Sequence, residues 1–309
     1  MRLLRWHVAD GAEGELLPAL RAAAVGGAAL PRVRHGGGRR LGVLCELRTL
    51  DGLRIGVPAR RLLLLFLPPC AGIAGATCPI EAQSPRDANP ERPTYATHAY
   101  AVAPGYIEIE QGLAARGVES LRETTSWDVN VKVGVSPHVQ LACFGPLYAR
   151  EPAGGGIGDL GAALKLRSDV SPRAAVAIVS SVTAPTGDAA KGIGAGRALG
   201  GLTAVFSVDL PGGVHADANA GPQGIGEGRP QWFTSLALAH SFGGRLGATL
   251  EAFNFTAGGA GPQFSGILGA VTIRLAAWAI ADAGGERRLS SGSLSQIFLG
   301  LTTNIGRVF

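Results

Sequence analysis

Trp127-Asp128-Val129-Asn130-Val131-Lys132-Val133-Gly134-Val135 alternates without a break: each odd position is apolar and each even one is polar or Gly. A period of two places successive side chains on opposite faces of a strand, so this stretch predicts a strand with one apolar and one polar face. The pattern recurs along the chain. Tyr106-Ile107-Glu108-Ile109-Glu110 sets two carboxylates on one face, and Val214-His215-Ala216-Asp217-Ala218-Asn219 alternates too. In the last run Ile297, Leu299, Leu301, Thr303 and Ile305 oppose Gln296, Gly300, Thr302 and Asn304. Residues 174–184 and 233–241 contain apolar stretches with no clear face.

Breaks at Gly, Pro, Ser and Asp clusters divide the chain into twelve strands, near 104–113, 122–135, 138–149, 157–169, 173–185, 199–210, 213–221, 231–242, 245–256, 263–274, 276–284 and 294–309. The connections after even-numbered strands are tight, as at Ser136-Pro137, Ser171-Pro172, Pro211-Gly212 and Gly243-Gly244. Those after odd-numbered strands are mostly longer and Gly-rich, as at 186–198 and 222–230. Short turns at one end and long loops at the other are the layout of an outer-membrane barrel. The predicted fold class is therefore all-β, a transmembrane antiparallel up-and-down β-barrel of about twelve strands. No apolar run reaches the ~18 residues of a membrane helix.

Composition first suggests an anionic partner, because the 309 residues carry 28 bases against 23 acids. Residues 1–76 hold eleven Arg and five acids, so the remaining 17 bases and 18 acids nearly cancel. The excess lies in the first quarter, and nucleic acid is not an expected partner. Hydrophobic residues at 46% with charged residues at 17% exclude a disordered chain. Four Cys in this length exclude a small disulfide scaffold.

Arg60-Arg61, the run Leu62 to Leu67 and the small residues Ala71 to Ala76 are the three parts of a signal peptide, 60–76, ending in Ala74-Gly75-Ala76. Its position leaves 1–59 as an N-terminal extension of doubtful standing: a domain of its own, or sequence upstream of the real start. Residues 77–103 are polar, Pro- and Ser-containing and aperiodic. They read as a periplasmic tail in preference to a short plug, although Tyr95, His98 and Tyr100 could stack inside the lumen. The barrel would run from 104 to 309, and Phe309 ends the last strand as an aromatic assembly signal for the barrel-assembly machinery.

The polar parity places Glu108, Glu110, Asp128, Lys132, Asp159, Lys165, Arg167, Asp209, Asp217, Glu251 and Arg274 inward. These charges form either a lining that sets the field on a permeation path or a neutralised polar core that holds the barrel together. No catalytic site is expected. There is no G-x-S-x-G, and His215 with Asp217 has no evident Ser nucleophile. No metal is expected either, since the His residues lack ligand spacing and the Cys residues lack C-x-x-C. Gly192-Ile193-Gly194-Ala195-Gly196 lacks the Lys-Ser/Thr of a phosphate loop and reads as a flexible loop. No cofactor is expected.

Residues 92–309 resemble the outer-membrane barrel family of transporters labelled "meta-pathway of phenol degradation". The resemblance rests on Arg92-Pro93, on Pro104-Gly105 leading into a strand with Glu110, on Gly156-Ile157-Gly158-Asp159-Leu160, on Pro185-Thr186-Gly187-Asp188 and on the final strand. It implies a channel in the cell outer membrane, with hydrophobic or aromatic small-molecule solutes as cargo and membrane lipid around it. Residues 1–59, Cys143 and the thin aromatic girdles depart from that pattern. A channel that passes small solutes without chemistry is the leading expectation. A sealed structural or adhesion barrel, or a soluble β-barrel binding protein, are the alternatives.

Overall fold

The computed structural model describes residues 84–117, 124–289 and 295–309. The readings made for 1–59 and for the signal peptide fall outside them. The strands are β1 (Tyr106–Arg116), β2 (Thr124–Ser136), β3 (Val139–Glu151), β4 (Gly154–Gly156), β5 (Gly161–Ser171), β6 (Ala174–Thr183), β7 (Leu199–Leu210), β8 (Val214–Ile225), β9 (Gln231–Phe242), β10 (Leu246–Phe255), β11 (Phe264–Ala276), β12 (Ala279–Arg288) and β13 (Ser295–Arg307).

Each strand pairs antiparallel with its chain neighbour, except that β3 pairs with β5 and the three-residue β4 adds to β3 alone. The sheet closes where β1 pairs with β13, Glu110 opposite Thr302. Twelve strands thus form one closed antiparallel barrel, with β4 as an appendage. Closure leaves no open edge, which is what allows a sheet to sit in lipid. Beyond Phe144, β3 parts from β5 and pairs with β4 instead. The tight turns lie at one end, where Gly243 and Gly244 adopt φ of 60° and 70° as a short hairpin requires. The long loops lie at the other end.

The alternation sorts the two faces. On β9, Trp232, Leu236 and Leu238 are exposed, while Gln231, Phe233, Ser235 and Ala237 are buried. On β10, Leu250 is exposed and Glu251 beside it is completely buried. Apolar side chains are exposed on strands around the whole barrel, among them Leu113, Leu141, Leu166, Ile178, Phe206, Val271 and Leu299. Such a surface is unfavourable in water and suits a hydrocarbon surround. Cys143 lies on this outer face as a free thiol.

The two stretches without a clear face have a structural cause. In β6, Ala175 and Ala177 turn inward under Ala99 while Val176 and Ile178 turn outward. In β9, the inward Phe233 faces an aromatic cluster. At both places the interior is apolar, so the sequence loses its contrast.

Candidate functional site

Residues 84–103 enter the lumen. The chain starts at the tight-turn end, where the Ala88 N–H donates to the Ala277 carbonyl. It crosses the interior and returns to the same end, where Gly105 N–H donates to Gly134 O just before β1. The expectation of a tail reaching away from the barrel does not describe these residues. Ala96, Ala99 and Val102 are buried, and Ala99 is wholly inaccessible.

The segment has no regular secondary structure, so its peptide groups need partners elsewhere. Inward side chains supply them. Glu108 accepts from Asn89 N (2.7 Å), Glu110 from Glu91 N (2.5 Å), and Glu251 from both Tyr95 N (2.8 Å) and Ala96 N (2.7 Å). Asn219 Oδ1 accepts from Thr97 N, Ser207 Oγ from Ala99 N, and Gln140 Oε1 from Val102 N. Lys132 Nζ donates to Asn89 O, Lys165 Nζ to His98 O and Tyr100 O, and Asn219 Nδ2 to Thr97 O. The inner wall therefore acts as a scattered hydrogen-bonding partner strand for the plug.

Two glycines make room for it. A Cβ at Gly134 would overlap the carbonyl oxygens of Val102 and Ala103. A Cβ at Gly300 would overlap the Arg92 guanidinium and the Asp282 carboxylate.

One side of the lumen is ionic. Lys132 Nζ lies 2.6 Å from Glu108 and 2.7 Å from Glu110, with all three side chains essentially buried. Lys165 pairs with Glu91 and also donates to Thr97 Oγ1. Glu91 in turn accepts from Gln140 Nε2. Buried charges are tolerable only when paired and bonded in this way. Burial alone would raise the Glu91 pKa, but Lys165 and Lys132 hold it well below the usual carboxylate range. His98 packs in the same region, its Nε2 3.3 Å from Asn89 O. Burial first, then Lys165, pushes its pKa down to about 4.

Across the lumen the wall is aromatic. Phe233, Phe253, Phe255, Leu268, Ala270 and Phe298 form a buried cluster against which Tyr95 and Phe264 pack. Phe233 stacks on Phe255 at 4.8 Å, Phe255 on Phe264 at 4.6 Å, and the Arg288 guanidinium lies 4.1 Å above Phe264. Glu286 receives the Tyr95 hydroxyl (2.6 Å) and Arg288 Nε (2.9 Å). Burial, with Glu286 adding to it, raises the Tyr95 pKa above its ordinary value. Arg92 joins the two sides, bonded to Asp282 at 3.2 Å and lying 6.0 Å over the Phe298 ring.

The residues expected inside divide into three groups. Glu108, Glu110, Lys132, Lys165 and Glu251 contact the plug, as described. Arg167, Asp209, Asp217 and Arg274 lie at the tight-turn end. There His215 bridges Asp209 (2.7 Å) and Asp217 (3.1 Å), Ser207 Oγ donates to Asp217, and Arg167 lies over the Tyr100 ring while bonding Asp169 and Pro137 O. Asp128 and Asp159 lie toward the long loops. Asp128 accepts from Ser126 Oγ. Asp159 precedes β5 instead of belonging to it, which corrects the strand expected from 157. It accepts from Gly187 N and Ala195 N, pinning the 186–198 loop at two points. That loop carries the one-turn 3₁₀ helix Ala189–Lys191, capped by Asp188, whose exposed carboxyl Lys191 holds below its usual range. Phe309 is exposed just beyond β13, its carbonyl bonded to Arg307 Nε.

Sequence reasoning missed Arg92, Asp282, Glu286 and the polar amides Gln140 and Asn219. It also missed the inward phenylalanines. Strand parity could have found Asp282 and Glu286; nothing in the sequence marks a lumen wall as aromatic.

Two cavities adjoin the plug. One of about 530 Å³ is lined by Arg116, Asp128, Asn130, Phe144, Lys165 and Thr183, among others. A second, of about 260 Å³, lies beside the aromatic stack and shares Arg116, Gln223 and Ala260 with the first. Among the described residues no group of three or more His, Cys, Asp or Glu could hold a metal ion.

Comparison of the sequence with family models and with curated protein sequences gives no match. Solved structures do match. The COG4313 outer membrane channel from Pseudomonas putida F1 aligns with a TM-score of 0.51 over 67% of this chain and 98% of that one, at 13% identity. The NanC porin aligns at 0.49 over 64% and 98%, with 5% identity. The CymD monoaromatic hydrocarbon channel aligns at 0.43 over 65% and 89%, with 10% identity. The first likeness is one of fold: a closed barrel of the outer-membrane type.

Proposed function

We propose that the chain is an outer-membrane channel for small solutes, constricted by the plug formed by residues 84–103. The observation that carries this reading is a closed barrel with an apolar outer wall and a charged lumen that keeps about 530 Å³ free beside the plug. In this reading Asp128, Lys165 and the other inward charges set the field that a solute meets, and the protein performs no chemistry on it. The inward phenylalanines favour hydrophobic or aromatic cargo, as the family resemblance implies. Export through a leader at 60–76, assembly through the strand ending at Phe309 and residence in the outer membrane belong to the same proposal. N-terminal sequencing of the protein recovered from membranes tests the leader: an end near Thr77 supports it, and an intact Met1 overturns it.

The number of bonds that hold the plug favours a second reading, a sealed barrel. Planar-bilayer recordings separate the two. Discrete current steps from the refolded full chain, enlarged by Glu251→Ala and Gly134→Val, support a channel. Silence from the folded protein and from both variants supports the sealed form.

A further inference from the structure

The smaller cavity has a composition that neither the barrel architecture nor the plug requires. It is walled by Phe233, Phe255, Phe264 and Tyr95, and among the described residues its lining includes two arginines, Arg116 and Arg288, but no Asp or Glu. A lumen packed only for stability would pair each guanidinium with a carboxylate. Here Glu286, which is outside the lining, already serves both Arg288 and the Tyr95 hydroxyl. Arg116 is bonded to a neutral amide, Gln296. Among the described residues the local count is two cations against one carboxylate, beside a stack of rings.

Size narrows the occupant. About 260 Å³ is below the ~300–1,000 Å³ of pockets for drug-sized ligands. It suits one ring with a small substituent. The stacked faces of Phe233, Phe255 and Phe264 suit an aromatic ring packed edge or face on. A guanidinium fork suits a carboxylate in two parallel bonds. The cavity lies at the long-loop end, where β9, β11 and β12 meet their long connections.

We infer that this cavity is a binding site for a single-ring aromatic carboxylate, its ring against the phenylalanine stack and its carboxylate on Arg116 and Arg288. The inference rests on the reading of the lumen as accessible to solutes, and it adds to that reading a charge on the cargo.

The test is equilibrium dialysis of radiolabelled benzoate against the full chain in phosphatidylcholine nanodiscs, with empty nanodiscs subtracted. Benzyl alcohol serves as the neutral probe of the same size. Saturable benzoate binding at least tenfold tighter than benzyl alcohol is expected. Arg116→Gln and Arg288→Gln should each weaken benzoate at least tenfold and leave benzyl alcohol unchanged. Phe255→Leu should weaken both. Arg116→Gln leaves the Glu286 pair intact, so it reports even where Arg288→Gln perturbs folding, and heat-modifiable gel mobility verifies each barrel. Equal binding of the two probes, indifference to both arginine variants, or no binding to the folded protein overturns the site. Conductance is read separately. A barrel that binds benzoate yet carries no current keeps the site and loses the channel; one that conducts without binding loses the site alone.

Discussion

Around Lys132 and Lys165 the plug is held by buried ions, whereas near Phe233, Phe253 and Phe255 it is held by ring packing with a carboxylate behind it. Both walls seat the same twenty-residue segment, and they do it by different physics. Ion pairs are strong only while every member stays paired, so the Lys132 side is rigid and intolerant of single losses. Aromatic packing is non-directional and tolerates a small displacement, although each side keeps a cavity and the larger one lies against Lys165. If the plug moves, the aromatic side is where it should loosen first.

Lys132→Met should break the contrast most severely. It strands Glu108 and Glu110 as buried carboxylates and should cost about 3–5 kcal/mol, read as a lower urea midpoint of the refolded barrel. Phe253→Ala removes packing from the opposite wall and should cost about 3 kcal/mol, the low end for a buried Phe, in the same assay. A loss exceeding that of Lys132→Met would erase the distinction between the walls.

Acidification tests the ionic side through His98, which faces Lys165, Lys132, Glu91 and Asp217. Its docked pKa is about 4 against 6.5 when free. Between those values the undocked state binds a proton that the docked state refuses, so docking is at full strength above pH 6.5. The His98 contribution weakens as pH falls toward 4 and then levels off, by about 3 kcal/mol in all. Hydrogen exchange of the plug amides should accelerate across that window, and His98→Gln should remove the dependence above pH 4.5, leaving the loss that protonation of Glu91 brings at lower pH. Glu251→Gln retains one acceptor for Tyr95 N or Ala96 N and should cost about 1.5–2 kcal/mol. Exchange at those two amides should rise while that at Asn89 and Glu91 stays unchanged. Lys191→Ala, in the exposed 186–198 loop, should leave the urea midpoint where it is; a measurable shift would mean that the loop is coupled to the plug.

The barrel was legible because two-residue alternation is local: Val129, Val131 and Val133 against Asp128, Asn130 and Lys132 require no knowledge of the rest of the chain. The twelve expected strands overlap the observed ones, and the tight turns fall where Pro and Gly mark them. The inward placing of Glu108, Glu110, Lys132, Lys165 and Glu251 was legible by the same parity. Their partners were not. Lys165 could be read as inward, but its bond to Glu91 spans 74 residues and its bond to His98 O spans 67. The aperiodic stretch 84–103 resembled a tail because its peptide groups bond to side chains scattered over the whole sheet, and such bonds impose no repeat on the segment that makes them.

The sequence by itself determined that this chain closes into an antiparallel barrel with an apolar outer face, since alternation sends one parity of the clearly periodic strands outward and the polar parity demands an enclosed interior. Tertiary structure alone decided what fills that interior. Which carboxylate captures which amide, and which wall is ionic or aromatic, depends on where a segment without regular structure lies among twelve strands. That position is set by long-range pairing, which leaves no periodic trace in the chain.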